Sequence, residues 1–114
     1  MEKVERPWGW YINVKEEKET FKIKHICVYP GKRLSLQSHN RRSEHWVIVK
    51  GNAIVQVGKD QLCLHTNQSI YIPKETLHRI ENPGLENVEF VETQIGDYLE
   101  EDDIIRYEDD FGRV

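Results

Sequence analysis

Gln37, His39 and Glu44 lie within eight positions of one another in the stretch Gly31 to Gly51, and the Trp46-Val47-Ile48-Val49 run that follows reads as a strand fixing where they point. Gln37 and His39 are two apart, so on an extended chain both project from one face. An amide oxygen, an imidazole and a carboxylate form a mixed nitrogen and oxygen donor set, suited to a borderline divalent ion such as Zn, Mn, Fe, Co or Ni. His78 is the best supplier of a fourth ligand. It stands after Pro73 and a turn, at the start of a second β-rich run that ends at Asn82. Two short strands, each with polar donors beside a turn, bring those donors together when the sheet curls back on itself, which predicts a barrel.

The elements that must hold this set are short and β-like throughout. Residues 6 to 14 read as an aromatic-rich strand, and the charged run from Lys15 to Thr20 reads as a solvated connection. Phe21 to Tyr29 alternates as a half-buried strand ended by Pro30-Gly31, and His25 on it reads as a surface or packed histidine. Asn52 to Leu64 reads as two strands around a Gly58-Lys59-Asp60-Gln61 tip, and His65 to Ser69 as a loop. Pro83-Gly84 breaks the chain before Val88 to Ile95, the last long strand. The acidic segment from Glu100 reads as a short helix or an arm packed on the barrel. Short strands with Gly and Pro punctuation predict an all-β barrel or sandwich.

The chain of 114 residues is one domain's worth and can bury a single core. With 32% charged residues and a net charge of −4, nothing marks the surface for nucleic acid or an anionic membrane. No apolar run approaches the ~20 residues of a membrane span, and the first residues lack a signal-peptide core, so a cytoplasmic protein is expected. Cys27 and Cys63 lie on apolar stretches without Cys-x-x-Cys spacing and read as reduced core thiols.

The first stretch resembles the first cupin motif, with Gly31, His39, Glu44 and Gly51 in its frame and Gln37 where a His usually stands. The second resembles the second cupin motif, with Pro73, His78 and Asn82 in place and Asn67 and Glu75 where Gly is usual. The narrower pattern Leu34-Ser-Leu-Gln37-x-His39-x-x-Arg42-x-Glu44-His45-Trp46 is similar to the type II phosphomannose isomerases. So are Arg6-Pro7-Trp8-Gly9, Tyr71-Ile-Pro73, His78-Arg79-Ile-Glu-Asn82-Pro83-Gly84, and Gly96-x-Tyr98-Leu-x-Glu101-Asp102-Asp103-Ile. The resemblance covers essentially the whole chain, residues 1 to 114, as one cupin domain. It implies a double-stranded β-helix, or jelly roll, with an N-terminal strand arm and a short C-terminal extension.

The resemblance also implies a reaction, the interconversion of mannose 6-phosphate and fructose 6-phosphate through an enediolate, with Gln37, His39, Glu44 and His78 holding a divalent metal ion. Arg42 matches a motif arginine and is expected to bind the sugar phosphate or steady the enediolate. Arg79 is the second arginine candidate, although its place next to His78 turns it from the metal on a regular strand. Glu92 and Gln94 share one strand face; if that face lines the barrel, Glu92 is the candidate base and Gln94 a substrate contact. Lys74, on the turn before His78, is expected to reach the phosphate. His45 is expected on the face opposite Glu44.

Such domains usually follow a mannose-1-phosphate guanylyltransferase. No Gly-rich phosphate loop occurs among these residues, so the expected function is completed by this barrel or with a partner chain. A homodimer is expected, since cupin barrels pair through sheet edges and the arms Met1 to Trp10 and Glu100 to Val114 are placed to cross to a neighbour. The rival expectations are another sugar-phosphate or sugar-nucleotide isomerase or epimerase, and a non-enzymatic cupin that binds a sugar ligand or partners a separate guanylyltransferase.

Overall fold

Alternation along the strands decides which side chains meet. A computed structural model of the chain describes residues 1–114. It contains eleven strands: β1 Lys3–Arg6, β2 Gly9–Glu17, β3 Phe21–Val28, β4 Leu36–His39, β5 Arg42–Lys50, β6 Asn52–Val57, β7 Asp60–His65, β8 Ser69–Ile72, β9 His78–Glu81, β10 Val88–Gly96 and β11 Ile104–Glu108. One 3₁₀ turn, Glu101–Asp103, precedes the last strand.

The strands form a six-stranded sheet in the order β1-β2-β3-β10-β5-β8 and a five-stranded sheet in the order β11-β4-β9-β6-β7. The expected barrel is therefore a jelly roll of two sheets, with no ladder closing one onto the other. Every strand pair is antiparallel, so each sheet can bury one face and expose the other. Ile26, Val28, Trp46, Ile48 and Phe90 from the larger sheet pack with Ala53, Val55, Leu64 and Ile80 from the smaller one in one apolar core. Full burial of each large apolar side chain contributes roughly 1.5–3 kcal/mol.

Three readings of the sequence change. The charged run from Lys15 is not wholly a connection, because β2 extends to Glu17 and pairs with β3 through a bulge between Asn13 and Lys15. The ladder rather than hydrophobicity sustains it, since this end of β2 is exposed. The C-terminal segment holds both a 3₁₀ turn and a strand, β11, that pairs with β4 of the same chain, while β1 pairs with β2. Cys27 is a buried thiol, but Cys63 is exposed on β7, so only one of the two is a core residue.

Glu75 and Asn67 adopt φ of 60° and 78°, the left-handed region a glycine would favour. The Glu75 backbone N–H donates to the His39 carbonyl at 2.7 Å, so the turn before β9 docks on the strand that carries the first histidine. No helix is long and apolar enough to cross a membrane.

Candidate metal centre and its cavity

Four strands deliver the polar residues of the interior. His39 ends β4, and a tight turn leads to Arg42 and Glu44 at the start of β5. That turn is held from outside by Asp103, whose carboxylate accepts the backbone N–H groups of Asn40 at 3.2 Å and Arg41 at 3.0 Å. His78 opens β9 directly opposite Gln37 of β4. On β10, Glu92 lies opposite Trp46 and Gln94 opposite Glu44.

His39, Glu44 and His78 are buried, and one donor atom from each lies within 4.8 Å of the others. His39 Nε2 is 3.0 Å from Glu44 Oε2, and His78 Nε2 is 3.9 Å from Glu44 Oε1. His78 Nδ1–H donates to the Thr76 carbonyl at 2.9 Å, which leaves its Nε2 lone pair turned toward the carboxylate. Burial pushes the His78 pKa below its ordinary value against the opposing pull of Glu44. Burial alone would raise Glu44, but the His39 hydrogen bond and the His78 and Arg42 charges outweigh it and hold the carboxyl well below the usual range. A neutral imidazole beside an ionised carboxylate is the protonation state that metal ligation requires.

Gln37 donates its amide nitrogen to Ser35 Oγ at 2.8 Å, so its oxygen is the free end. It projects from the same face of β4 as His39. Two imidazoles and a carboxylate converge, and with the Gln37 amide oxygen on the strand position opposite His78 the donor chemistry fits a borderline divalent ion.

Arg42 is 3% exposed. Its Nε donates to Glu44 Oε2 at 3.0 Å and its Nη2 approaches His39 Nε2 at 3.3 Å, while Nη1 is buried without a partner. Glu92 is also buried, and its pKa is pushed up to about 8, first by burial and then by the Glu44 charge, against the pull of Lys24 and Arg42. Gln94 donates to Glu92 Oε2 at 2.7 Å. Arg42, Glu92 and Gln37 line a cavity of about 320 Å³, with the His39, Glu44 and His78 cluster in contact through Arg42. Trp8, Tyr11, Lys24 and Arg106 line the same space.

The structure therefore brings Gln37, His39, Arg42, Glu44, His78 and Glu92 together, with Gln94 bonded to Glu92. It puts Lys74 on an exposed turn that does not line the cavity. Arg79 points to the opposite face of β9, where Nε donates to the Leu34 carbonyl at 2.9 Å and Nη1 to Glu108 at 3.1 Å. Those bonds make it a tie between β9 and the C-terminal strand. His45 lies on the outer face against Tyr71, and His25 pairs with Glu89 at 2.8 Å.

Lys24 and Arg106 are among the cavity residues that escaped the sequence reading. Lys24 donates to Glu101 at 2.9 Å and faces Glu92 across the ladder; its phase with Ile26 and Val28 was the available signal. Arg106 offered no signal, because β11 was not recognised as a strand.

Two facing antiparallel sheets with a buried His, Glu and His cluster between them are the architecture of a cupin. The cupin domain of Schizosaccharomyces pombe Cnp3 superposes with a TM-score of 0.76 over 81% of this chain and 67% of that one, at 16% identity, a likeness of fold. The chain belongs to the mannose-6-phosphate isomerase C-terminal family, whose pattern matches residues 1–109. It is 50% identical over 112 residues to the xanthan biosynthesis protein XanB of Xanthomonas campestris pv. campestris, covering 98% of this chain and 24% of that protein. It is 46% identical over 111 residues to the mannose-1-phosphate guanylyltransferase ManC of Salmonella typhimurium, covering 97% of this chain and 23% of that protein. The chain thus spans about a quarter of the length of the curated relatives it matches.

Proposed function

We propose that this domain is a metal-dependent isomerase that interconverts mannose 6-phosphate and fructose 6-phosphate. The observation that carries the reading is a buried, metal-compatible cluster, His39, Glu44 and His78, joined through Arg42 to a cavity that the buried Glu92 carboxyl also lines. Gln37, His39, Glu44 and His78 would hold the ion. When bound, a divalent ion supplies a Lewis acid for the carbonyl and hydroxyl oxygens at C1 and C2.

Glu92 is the base in this account. It takes the proton from C2 of the open-chain aldose, leaving the electron pair in the C1–C2 double bond, and returns the proton to C1. The hydroxyl proton moves from O2 to O1, so the product is the ketose. A base with a pKa near the working pH can both accept and release the proton, and burial supplies that tuning. Gln94 fixes the Glu92 carboxyl through its 2.7 Å hydrogen bond. Arg42 turns an unpartnered N–H toward the same space, where an oxygen gaining charge finds a preorganised donor.

The test is deuterium transfer. Metal-loaded protein is incubated with mannose 6-phosphate in heavy water, with Zn, Mn, Co, Ni and Fe in separate arms. Label entering C1 or C2, lost in Glu92→Gln, is expected. Label appearing only in another sugar phosphate, or binding without exchange under every metal, would overturn the assignment in favour of a different isomerase or a non-catalytic sugar-binding domain.

A further inference from the structure

Buried polar atoms without partners are concentrated at the cavity. Three of them are donors on residues that line it: Trp8 Nε1, Arg42 Nη1 and Arg106 Nε. A buried donor left unpaired has given up its water partner without replacement, at greater cost when it is charged, so donors of this kind mark where a ligand's oxygens belong.

Arg106 differs from the other arginines of the cavity. Arg42 is bonded to Glu44, Arg113 donates to Asp109 at 2.7 Å, and Arg6 donates to the Glu5 carbonyl at 2.9 Å. The Arg106 side chain makes no hydrogen bond and no ion pair, and its Nε is buried. It projects from β11 opposite Gln37 on β4, and cross-strand neighbours of this kind are ~5 Å apart at Cβ. Its cation therefore stands one strand away from the donor set. Burial and then the neighbouring Arg113 charge both weigh against its cationic form, with only Asp109 and Glu101 opposing. Asp109 is already engaged by Arg113 and Glu101 by Lys24.

We propose that Arg106, with Arg113 beside it, forms the subsite that receives the phosphate monoester of the substrate, while the donor set at the other side of β4 receives its C1 and C2 end. The proposal rests on the sugar-phosphate reading above and adds a residue and an orientation to it. A guanidinium presents a fork of N–H donors to two phosphate oxygens, and an oxyanion between two guanidiniums removes their mutual repulsion. Phosphate bound there also supplies the acceptor that Arg106 Nε lacks.

Phosphorus NMR titration with inorganic phosphate, on the full metal-free chain, tests the subsite apart from catalysis. Arg106→Gln is expected to weaken phosphate binding by about tenfold or more, Arg106→Lys to weaken it less, and Lys59→Gln on the exposed β6–β7 turn to leave it unchanged. In the isomerase assay Arg106→Gln is expected to raise KM for mannose 6-phosphate about tenfold with a smaller change in kcat. Near-UV circular dichroism verifies folding, and Arg106→Lys keeps the test open if the glutamine variant does not fold. Phosphate affinity equal in wild type and both Arg106 variants, or no phosphate binding by wild type at millimolar concentration, would overturn the proposal. Arg106-dependent phosphate binding in a protein without isomerase activity keeps the subsite and removes the isomerase reading. Isomerisation with KM unmoved by Arg106→Gln does the reverse.

Discussion

The three central strands of the larger sheet change character midway along their inner faces. On β3 the buried series runs Lys22, Lys24, Ile26, Val28; on β5 it runs Arg42, Glu44, Trp46, Ile48; on β10 it runs Val88, Phe90, Glu92, Gln94. The antiparallel registers align these changes, so one half of the space between the sheets is apolar and the other is charged. The apolar half supplies burial energy in proportion to area. The charged half takes ions out of water, a cost that their mutual attraction offsets only in part. All five unpartnered buried side-chain atoms belong to residues at the cavity or bonded to its polar wall, Trp8, His39, Arg42, Gln94 and Arg106. The lesson is a division of labour: one half holds the sheets together so that the other can keep a strained, ligand-ready set of charges in place.

That contrast can be broken most severely from the apolar side. Phe90 is fully buried against Trp46, and Phe90→Ala is expected to cost about 3–5 kcal/mol in chemical denaturation. A loss under 1 kcal/mol would mean that the apolar half does not carry the fold. Gly96 probes the charged half by shape alone. A Cβ there would overlap the Arg41 carbonyl oxygen and sit 3.0 Å from Arg42 Cα, so Gly96→Ala is expected to cost about 1–3 kcal/mol and displace Arg42. Unchanged stability and isomerase activity in that variant would contradict the close approach of β10 to the arginine.

The buried carboxyl makes a pH signature in the metal-free protein. The folded Glu92 pKa is raised from 4.5 to about 8, so the native state binds more protons than the unfolded one between those values. This contribution is fully present below the unfolded value and is lost as pH rises toward about 8. The lowered pKa of His78 acts in the opposite direction near its ordinary value, and subtracting the Glu92→Gln profile isolates the carboxyl. Melting temperatures should therefore fall across that window more steeply for wild type than for Glu92→Gln; parallel curves would remove Glu92 from the buried set. The smallest effect is expected at Glu75, whose left-handed backbone favours glycine. Glu75→Gly should change stability by no more than about 1 kcal/mol, relief of strain being offset by a freer unfolded chain. A loss above 2 kcal/mol would show that the glutamate side chain itself holds the turn.

The polar half was unevenly legible in the sequence. Gln37, His39 and Glu44 were visible because one short window gathers them, and His78 because a proline-bounded turn sets it at a strand start. The face of Glu92 was ambiguous, since Val91, Thr93 and Ile95 on the other face are as β-prone as Val88 and Phe90. Lys24 was not singled out on its half-buried strand, although its phase matched the core. Arg106 was hidden because Glu100 to Asp103 gave the tail an acidic, loop-like cast, while its pairing with β4 is a long-range contact. The two-sheet closure was likewise out of reach, because ladder ends depend on pairing partners and not on local pattern.

Metal content after equilibration with Zn or Co and exhaustive dialysis tests the central claim most directly, comparing wild type with Glu44→Gln. The account predicts about one ion per wild-type chain and a loss of affinity in Glu44→Gln beyond the ~10–100-fold typical of outer-sphere changes, with both proteins folded. Wild type free of metal, or a variant that retains the ion as tightly, would contradict it.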